Sequence, residues 1–133
     1  MTTIFITAIV ALLSGCASPS HLNTSDVLTP AEVQTLITND NTIVILDVRS
    51  LPEFVDEHGH LKGAMLIPVQ ELELRIGELA KYKSQRIITV CQSGNRSHQA
   101  VSILKAHGFI AVDMTGGMTR WNAEGFPVEK TAK

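Results

Sequence analysis

Cysteine and basic charge are both scarce in this chain. Among its 133 residues only two are cysteines, Cys16 and Cys91, so one internal disulfide is the most it can form. The formal net charge is −2, and no Lys/Arg run is interleaved with aromatic residues, which excludes the usual basic surface for nucleic acid. There is no internal repeat and no low-complexity stretch. An apolar content of 44% with 18% charged residues is typical of one globular domain.

The chain also lacks an apolar run of the ~20 residues that a membrane-spanning helix needs. Its apolar run at 4–13 (IFITAIVALL) suits instead the core of a signal peptide. The segment Leu13-Ser14-Gly15-Cys16 resembles the lipobox of bacterial lipoproteins, in which the signal is cut before the cysteine and the cysteine is acylated. This resemblance implies a signal peptide at 1–15, lipidation of Cys16 and a lipid anchor on the periplasmic side of a bacterial membrane, with a soluble periplasmic protein as the fallback.

The N-terminal pattern leaves alternatives open. Met-Thr-Thr, which precedes Ile4, carries none of the positive charge that export signals normally show, so a buried apolar helix is the alternative. The Ser-, Thr- and Asn-rich stretch that follows predicts a flexible tether at 16–27. If Cys16 is acylated, Cys91 has no partner in this chain; a Cys16–Cys91 disulfide is the other possibility.

Residues 28–133 alternate between helical and extended patterns. Thr29-Pro30-Ala31-Glu32 combines an N-cap threonine, a proline at the first helical position and an early acid, which predicts the start of a helix. Alternating strands and helices predict an α/β fold with a mainly parallel sheet, helices on both faces and a ligand site beyond the carboxyl ends of the strands. Strands are predicted at 43–48, 64–67, 86–90 and 110–114, and further helices at 52–57, 69–79, 97–107 and 118–124.

Cys91 follows one of these strand ends directly and opens the loop Cys91-Gln92-Ser93-Gly94-Asn95-Arg96. Backbone N–H groups of a loop that enters a helix lack intrahelical partners, and with the positive end of the helix they favour an anion. We therefore expect Cys91 to be held largely as a thiolate, the alternative being an inert buried cysteine. Gly94 permits the backbone geometry that turns amides inward, and Arg96 offers a planar cation suited to an oxyanion.

Four landmarks in order resemble those of the rhodanese superfamily. They are Asp47-Val48-Arg49 with Glu53-Phe54, the turn His60-Leu61-Lys62-Gly63-Ala64, the loop Cys91 to Ser97, and the closing segment Gly116-Gly117 with Trp121, Gly125 and Pro127. The resemblance covers residues 28–128 and implies a rhodanese-like domain whose central sheet has about five strands. No cofactor is implied, and no metal is expected because no histidine has a metal-ligand spacing to a second cysteine.

The resemblance further implies a thiosulfate sulfurtransferase. Thiosulfate or a persulfide would pass its outer sulfur to Cys91, which would hold it as a persulfide until a thiol or cyanide accepts it. Cys91 would be catalytic, and Arg96 is the candidate for holding the donor's oxyanion. Asp47 and Arg49 are implied to brace the sheet end near the loop, with a plain surface ion pair as the alternative. The residues expected to bind substrate are Gln92, Ser93, Gly94, Asn95, Arg96 and Ser97.

Two other functions use a similar loop. Phosphatases and arsenate reductases with related cysteine loops typically count Cys-x5-Arg, whereas Cys91 to Arg96 counts Cys-x4-Arg, and no Asp is evident as the acid that a phosphatase needs. A non-catalytic carrier that holds a persulfide for one protein partner would use the same loop. The sequence leaves this second alternative open.

Overall fold

The computed structural model describes residues 26–130. The predicted signal peptide, Cys16 and the predicted tether as far as residue 25 lie outside these residues. Among the helices of residues 26–130, none combines the length and apolar character needed to cross a membrane.

Five parallel strands form one sheet in the order β1-β5-β4-β2-β3. The central strands are buried along almost their whole length, as expected for a parallel sheet covered on both faces. The predicted α/β fold with a five-stranded parallel sheet is therefore confirmed. The strands are β1 Val27–Leu28, β2 Val44–Asp47, β3 Met65–Leu66, β4 Arg86–Val90 and β5 Ile110–Met114.

Helices cover both faces of the sheet, and each face has its own apolar cluster. Ile45, Ile88 and Val112 belong to the cluster that contains Val33 and Trp121. The opposite cluster contains Leu72, Leu79 and Leu104. The helices are α1 Pro30–Asn39, α2 Leu51–Phe54, α3 Val69–Leu72, a 3₁₀ helix Ile76–Tyr82, α4 Asn95–Ala106 and α5 Gly117–Ala123.

Capping explains why α1 begins where the sequence predicts. The Thr29 hydroxyl accepts a hydrogen bond from the Glu32 N–H, and the Glu32 carboxylate accepts one from the Thr29 N–H at 2.7 Å. This reciprocal pair satisfies two donors that the first turn leaves without intrahelical partners. Pro30 takes the first helical position, where no backbone donor is needed.

The segment after Pro68 departs from the sequence prediction. One helix over 69–79 is wrong, because α3 ends at Leu72 and a separate 3₁₀ helix begins at Ile76. The Arg75 N–H is shared between the carbonyls of Glu71 and Leu72, at 3.0 and 3.2 Å, which marks the change of winding. Gly77 lowers the helix propensity at this point, so the α-helical winding is weakly favoured.

The first strand has no counterpart among the predicted elements. Val27, at the end of the predicted tether, pairs with Asp113, and Leu28 pairs with Met114. A two-residue strand leaves no pattern that the sequence can reveal, because backbone hydrogen bonds to a distant strand define it. β1 and β3 are both this short, which limits the unpaired edge that the sheet exposes.

Alternation along β4 determines where Cys91 lies. Ile88 and Val90 face the α1 and α5 side, whereas Ile87 and Cys91 face the α4 side. Thr89 contacts α4 as well, because its hydroxyl donates a hydrogen bond to the carbonyl of Ser97 at 3.0 Å. The first turn of α4 is thereby attached to the strand end from which Cys91 emerges.

Candidate active site

Cys91 is buried at the carboxyl end of β4, with 1% of its surface exposed. Two polar groups contact its sulfur. The Gly94 N–H donates to Sγ at 3.0 Å, and Sγ lies 3.3 Å from the hydroxyl oxygen of Ser97. That hydroxyl donates to the carbonyl of Gly94 at 3.0 Å, so it is fixed within hydrogen-bonding range of the sulfur.

Gly94 gives the loop its shape because its φ of 117° lies in the left-handed region, which side-chain-bearing residues rarely adopt. It serves as the N-cap of α4, and its carbonyl accepts the His98 N–H at 3.1 Å. The first-turn N–H groups of Asn95, Arg96 and Ser97 have no intrahelical carbonyl to reach. Together with the positive end of a helix of 12 residues, they favour negative charge beside the loop.

The start of α5 holds the loop from the other side. The Met118 N–H donates to the Cys91 carbonyl at 2.8 Å, and the Thr119 N–H donates to the Gln92 carbonyl at 3.0 Å. This contact requires a glycine at position 117, where φ is 56° and an added Cβ would lie 2.4 Å from the Cys91 oxygen. These two carbonyls are therefore directed toward the start of α5, and the loop amide that contacts the sulfur is that of Gly94.

Asp47 and Arg49 form a buried ion pair beside the loop. Arg49 Nη2 lies 2.8 Å from Asp47 Oδ2, and its Nε donates to both carboxylate oxygens. The guanidinium also donates to the Gly59 carbonyl at 2.9 Å and to Gln92 Oε1 at 3.3 Å. The pair therefore links the end of β2, the following turn and the cysteine loop.

Arg96 forms a second pair, with Glu53 of α2. Its two Nη groups donate to the two carboxylate oxygens, at 2.8 and 2.7 Å, in a bidentate arrangement. These bonds, more than any other cause, lower the pKa of Glu53 to about 2, and they raise the pKa of Arg96 above its ordinary value. Cys91 makes a smaller Coulombic contribution to the raised pKa of Arg96.

The remaining loop residues expected to bind substrate differ in how far their side chains are exposed to solvent. Gln92 is half-buried, and its amide donates to the Thr119 hydroxyl at 3.2 Å in addition to the contact with Arg49. Ser97 is buried against the sulfur, whereas Ser93 and Asn95 are exposed. The structure thus brings Gly94 and Ser97 to the sulfur and places Gln92 in the bracing network.

Some residues near the sulfur are absent from the set predicted from the sequence. The sequence marks Glu53 only as a family landmark, but its carboxylate binds Arg96. It marks Gly117 only as part of a turn, but this glycine allows α5 to approach the loop. The capping pattern Ser50-x-x-Glu53 would have shown that Glu53 is fixed at the start of a helix. Its contact with Arg96 has no sequence signal, because 43 positions separate the two residues.

Asp113 is another residue that the predicted strand pattern did not single out as part of the site. It lies in β5 and is 6% exposed, and its Oδ1 atom has no hydrogen-bond partner among residues 26–130. Burial raises the pKa of this carboxyl, and the nearby Ser97 hydroxyl and His98 act in the opposite direction. A carboxyl inside an otherwise apolar strand was the available signal.

The charges around the sulfur cancel in pairs. Asp47 offsets Arg49, and Glu53 offsets Arg96, which leaves hydrogen-bond donors and the helix end as the features that favour a negative sulfur. Within residues 26–130 no three His, Cys, Asp or Glu side chains cluster as a metal site would require. The arrangement is that of a buried nucleophile whose sulfur accepts a backbone N–H and lies at the positive end of a helix.

Residues 29–124 match the rhodanese-like domain family. This chain belongs to that family. It is 35% identical over 89 residues to YrkF of Bacillus subtilis, named as a candidate sulfur carrier protein, and 33% identical over 73 residues to the thiosulfate sulfurtransferase PspE of Escherichia coli. These matches cover 66% and 55% of this chain.

A solved rhodanese-related protein from Thermoplasma volcanium superposes with a TM-score of 0.67 at 30% identity, covering 75% of this chain and 93% of that one. The chain spans 46% of YrkF and 68% of PspE. A rhodanese-like domain with sulfur-carrier and sulfurtransferase relatives is therefore established, and the activity of this chain is a separate question.

Proposed function

We propose that this rhodanese-like domain is a sulfurtransferase that carries sulfane sulfur as a persulfide on Cys91. The observation that supports it most directly is the Gly94 N–H, which donates to the buried sulfur at 3.0 Å at the start of α4. Hydrogen bonds of this kind stabilise a charged sulfur in a site from which water is largely excluded. An inert core cysteine would not need them.

In the proposed reaction the Cys91 thiolate attacks the outer sulfur of a donor such as thiosulfate. A bond forms between Sγ and that sulfur, the sulfur–sulfonyl bond breaks, and sulfite leaves with the electron pair. A thiol or cyanide then attacks the outer sulfur of the persulfide and regenerates the thiolate. No general base is needed for the first step if the thiolate is already formed.

The other loop residues have supporting roles in this proposal. The first-turn N–H groups of Asn95 to Ser97 would stabilise the outer sulfur once it is attached, and the start of α4 directly after Gly94 supports this role. Gln92 holds the loop to Arg49 and Thr119. Arg96 is the residue for an oxyanion, provided that the oxyanion competes with Glu53.

Steady-state turnover of thiosulfate with cyanide tests the proposal in the full chain. Wild type should form thiocyanate, and Cys91→Ser should reduce its formation to the uncatalysed rate, because the hydroxyl cannot hold a persulfide. Circular dichroism should show that the variant remains folded. Thiocyanate formation by Cys91→Ser at the wild-type rate would refute the proposal.

A non-catalytic carrier is the second candidate, and the relative YrkF, named as a candidate sulfur carrier, favours considering it. A carrier would accept one sulfur on Cys91 but turn over small donors and acceptors poorly. Intact-mass measurement after a single exposure to thiosulfate separates the two functions. A gain of one sulfur atom without steady-state turnover supports the carrier, and turnover supports the enzyme.

Membrane anchoring through Cys16 is a separate proposal that depends on the sequence alone. We propose that the chain is exported, cut before Cys16 and held by lipid on the periplasmic side of a bacterial membrane. Fractionation of cells that express wild type and Cys16→Ser tests this. The variant should move from the membrane fraction to the soluble one, and an unchanged membrane fraction would contradict lipidation.

A further inference from the structure

We propose that Glu53 determines the donor preference of this site, disfavouring dianionic donors such as thiosulfate relative to sulfane donors of lower charge. Glu53 would act by holding Arg96, the one arginine of the cysteine loop. The proposal assumes sulfur transfer through Cys91, as proposed above, and names the class of donor that this transfer favours.

Glu53 is held in place by its own helix as well as by Arg96. Its Oε2 atom accepts hydrogen bonds from the Ser50 N–H at 2.9 Å and from the Ser50 hydroxyl at 2.7 Å. The carboxylate is therefore already oriented toward the loop, and the bidentate contact with Arg96 requires little further ordering of the glutamate. An anionic donor that binds Arg96 must compete with this fixed carboxylate.

The pairing leaves little positive charge for a donor to bind. Of the two arginines that contact the loop or belong to it, Arg49 is compensated by Asp47 and Arg96 by Glu53. A donor that approaches the Cys91 thiolate is repelled in proportion to its own negative charge. Thiosulfate, with two negative charges, is therefore at a greater disadvantage than a donor with one.

The ion pair between Arg96 and Glu53 stays fully charged at the neutral pH of an activity assay. The pKa of Glu53 is lowered to about 2, chiefly by its hydrogen bonds to Arg96, so the carboxylate stays ionised at neutral pH. The pKa of Arg96 is raised for the same reason, so the guanidinium stays charged. The pair is thus a constant feature of the site unless a ligand displaces it.

Two donors with the same reacting bond provide the test. Thiosulfate transfers its outer sulfur to the Cys91 thiolate and releases sulfite, whereas methanethiosulfonate transfers the same sulfur and releases methanesulfinate. In both steps one sulfur–sulfur bond forms at Sγ and one sulfur–sulfonyl bond breaks, and the leaving group takes the electron pair. The donors differ by one negative charge, which is the property that Glu53 is proposed to sense.

The decisive variant is Glu53→Gln in the full chain, assayed with both donors at fixed ionic strength and with cyanide as acceptor. Glutamine can still accept the hydrogen bonds from Ser50, but it no longer neutralises Arg96. The kcat/KM for thiosulfate should rise about tenfold relative to that for methanethiosulfonate, mainly through a lower KM. In Glu53→Gln/Arg96→Ala the gain should disappear, because Arg96 is the group that was released.

Glu78→Gln is the matched control, since Glu78 pairs with Arg75 at 2.7 Å on the surface of the 3₁₀ helix. It removes the same charge from the protein and should leave the donor ratio unchanged. Ser50→Ala is a second, milder variant, which removes one hydrogen bond that orients Glu53. It should shift the ratio in the same direction by a smaller factor, and it keeps the proposal testable if Glu53→Gln folds poorly.

An equal change for both donors in Glu53→Gln would overturn the proposal, because it would indicate that Glu53 only supports the loop. A lower thiosulfate KM than methanethiosulfonate KM in wild type would also overturn it. Absence of any sulfur on Cys91 with either donor is a different result, which would refute the proposed function itself.

Discussion

Two arginine–carboxylate pairs lie beside the cysteine loop, and they differ in their access to solvent. In the Asp47–Arg49 pair the side chains are 1% and 0% exposed, whereas in the Glu53–Arg96 pair they are 30% and 32% exposed. Arg49 uses its remaining donors on Gly59 and Gln92, so its position is determined by several parts of the fold. Arg96 donates to Glu53, and both side chains are partly exposed to solvent.

The difference shows how burial divides one kind of contact into two roles. A buried charge that loses its partner stays desolvated and uncompensated, which is strongly unfavourable. The Asp47–Arg49 pair therefore acts as a fixed brace. A partly exposed pair is weakened by water and salt and can be exchanged for a ligand. The same two functional groups thus form a fixed contact in one place and, in our proposal, an exchangeable one in the other.

Breaking the buried pair should have the largest effect on stability. Asp47→Asn leaves the Arg49 charge buried without its partner and should lower the free energy of unfolding by about 3–5 kcal/mol. Urea denaturation checks this, with Glu71→Gln, which removes a partner of the exposed Arg75, as the control. A loss below about 1 kcal/mol would mean that the pair behaves like a surface contact.

Gly117 tests whether the loop needs a second brace besides the buried pair. Gly117→Ala places a Cβ 2.4 Å from the Cys91 carbonyl at a φ of 56°, so we expect a loss of about 2–4 kcal/mol in urea denaturation. Gly77→Ala is the matched control, because nothing lies within 4 Å of its added Cβ and its φ is not in the left-handed region. Equal stabilities of the two variants would contradict the requirement for glycine at 117.

The exposed pair should contribute less, and its contribution should depend on pH. The hydrogen bonds from Arg96 lower the pKa of Glu53 in the folded protein to about 2, from its ordinary value of 4.5. A lowered pKa means that the stabilisation is complete above about pH 4.5 and is lost as the pH falls toward 2. This shift corresponds to at most about 3–4 kcal/mol of stability, and solvent exposure reduces that contribution.

Urea denaturation of wild type and Glu53→Gln at a series of pH values measures this contribution. The stability difference should be largest near neutral pH and should shrink below about pH 4. A difference that stays constant down to pH 3 would show that the ionised carboxylate is not responsible.

Salt should give the smallest effect. Between about 0.1 and 1 M salt the screening length falls from ~10 to ~3 Å. The stability lost in Glu53→Gln should then decrease by about 0.5 kcal/mol, while the loss in Asp47→Asn should hardly change. Equal salt dependence of the two variants would remove the distinction between the pairs.

Local sequence patterns were sufficient to predict the elements whose positions depend on nearby residues. The strands 86–90 and 110–114 agree with β4 and β5 residue for residue, because short, mainly apolar runs without alternation are favoured in a covered parallel sheet. The start of α1 follows from its capping residues. The position of Cys91 at a strand end follows from these elements.

Contacts between distant segments could not be predicted in this way. The two-residue strand β1 depends on its pairing with β5, and the contact of Arg96 with Glu53 depends on the packing of α2 against the loop. Residues 69–79 divide into two helices that each bury one leucine, Leu72 in α3 and Leu79 in the 3₁₀ helix. In each case tertiary packing overrides or supplements the local pattern.

The most direct test of the central claim locates the transferred sulfur. Wild type and Cys91→Ser, both in the full chain, are exposed briefly to thiosulfate or methanethiosulfonate, alkylated, and measured as intact proteins and as peptides. The account predicts one added sulfur in wild type, on the peptide that contains Cys91, its removal by cyanide, and none on that peptide in the variant. An added sulfur on any other residue, or none with either donor, would contradict it.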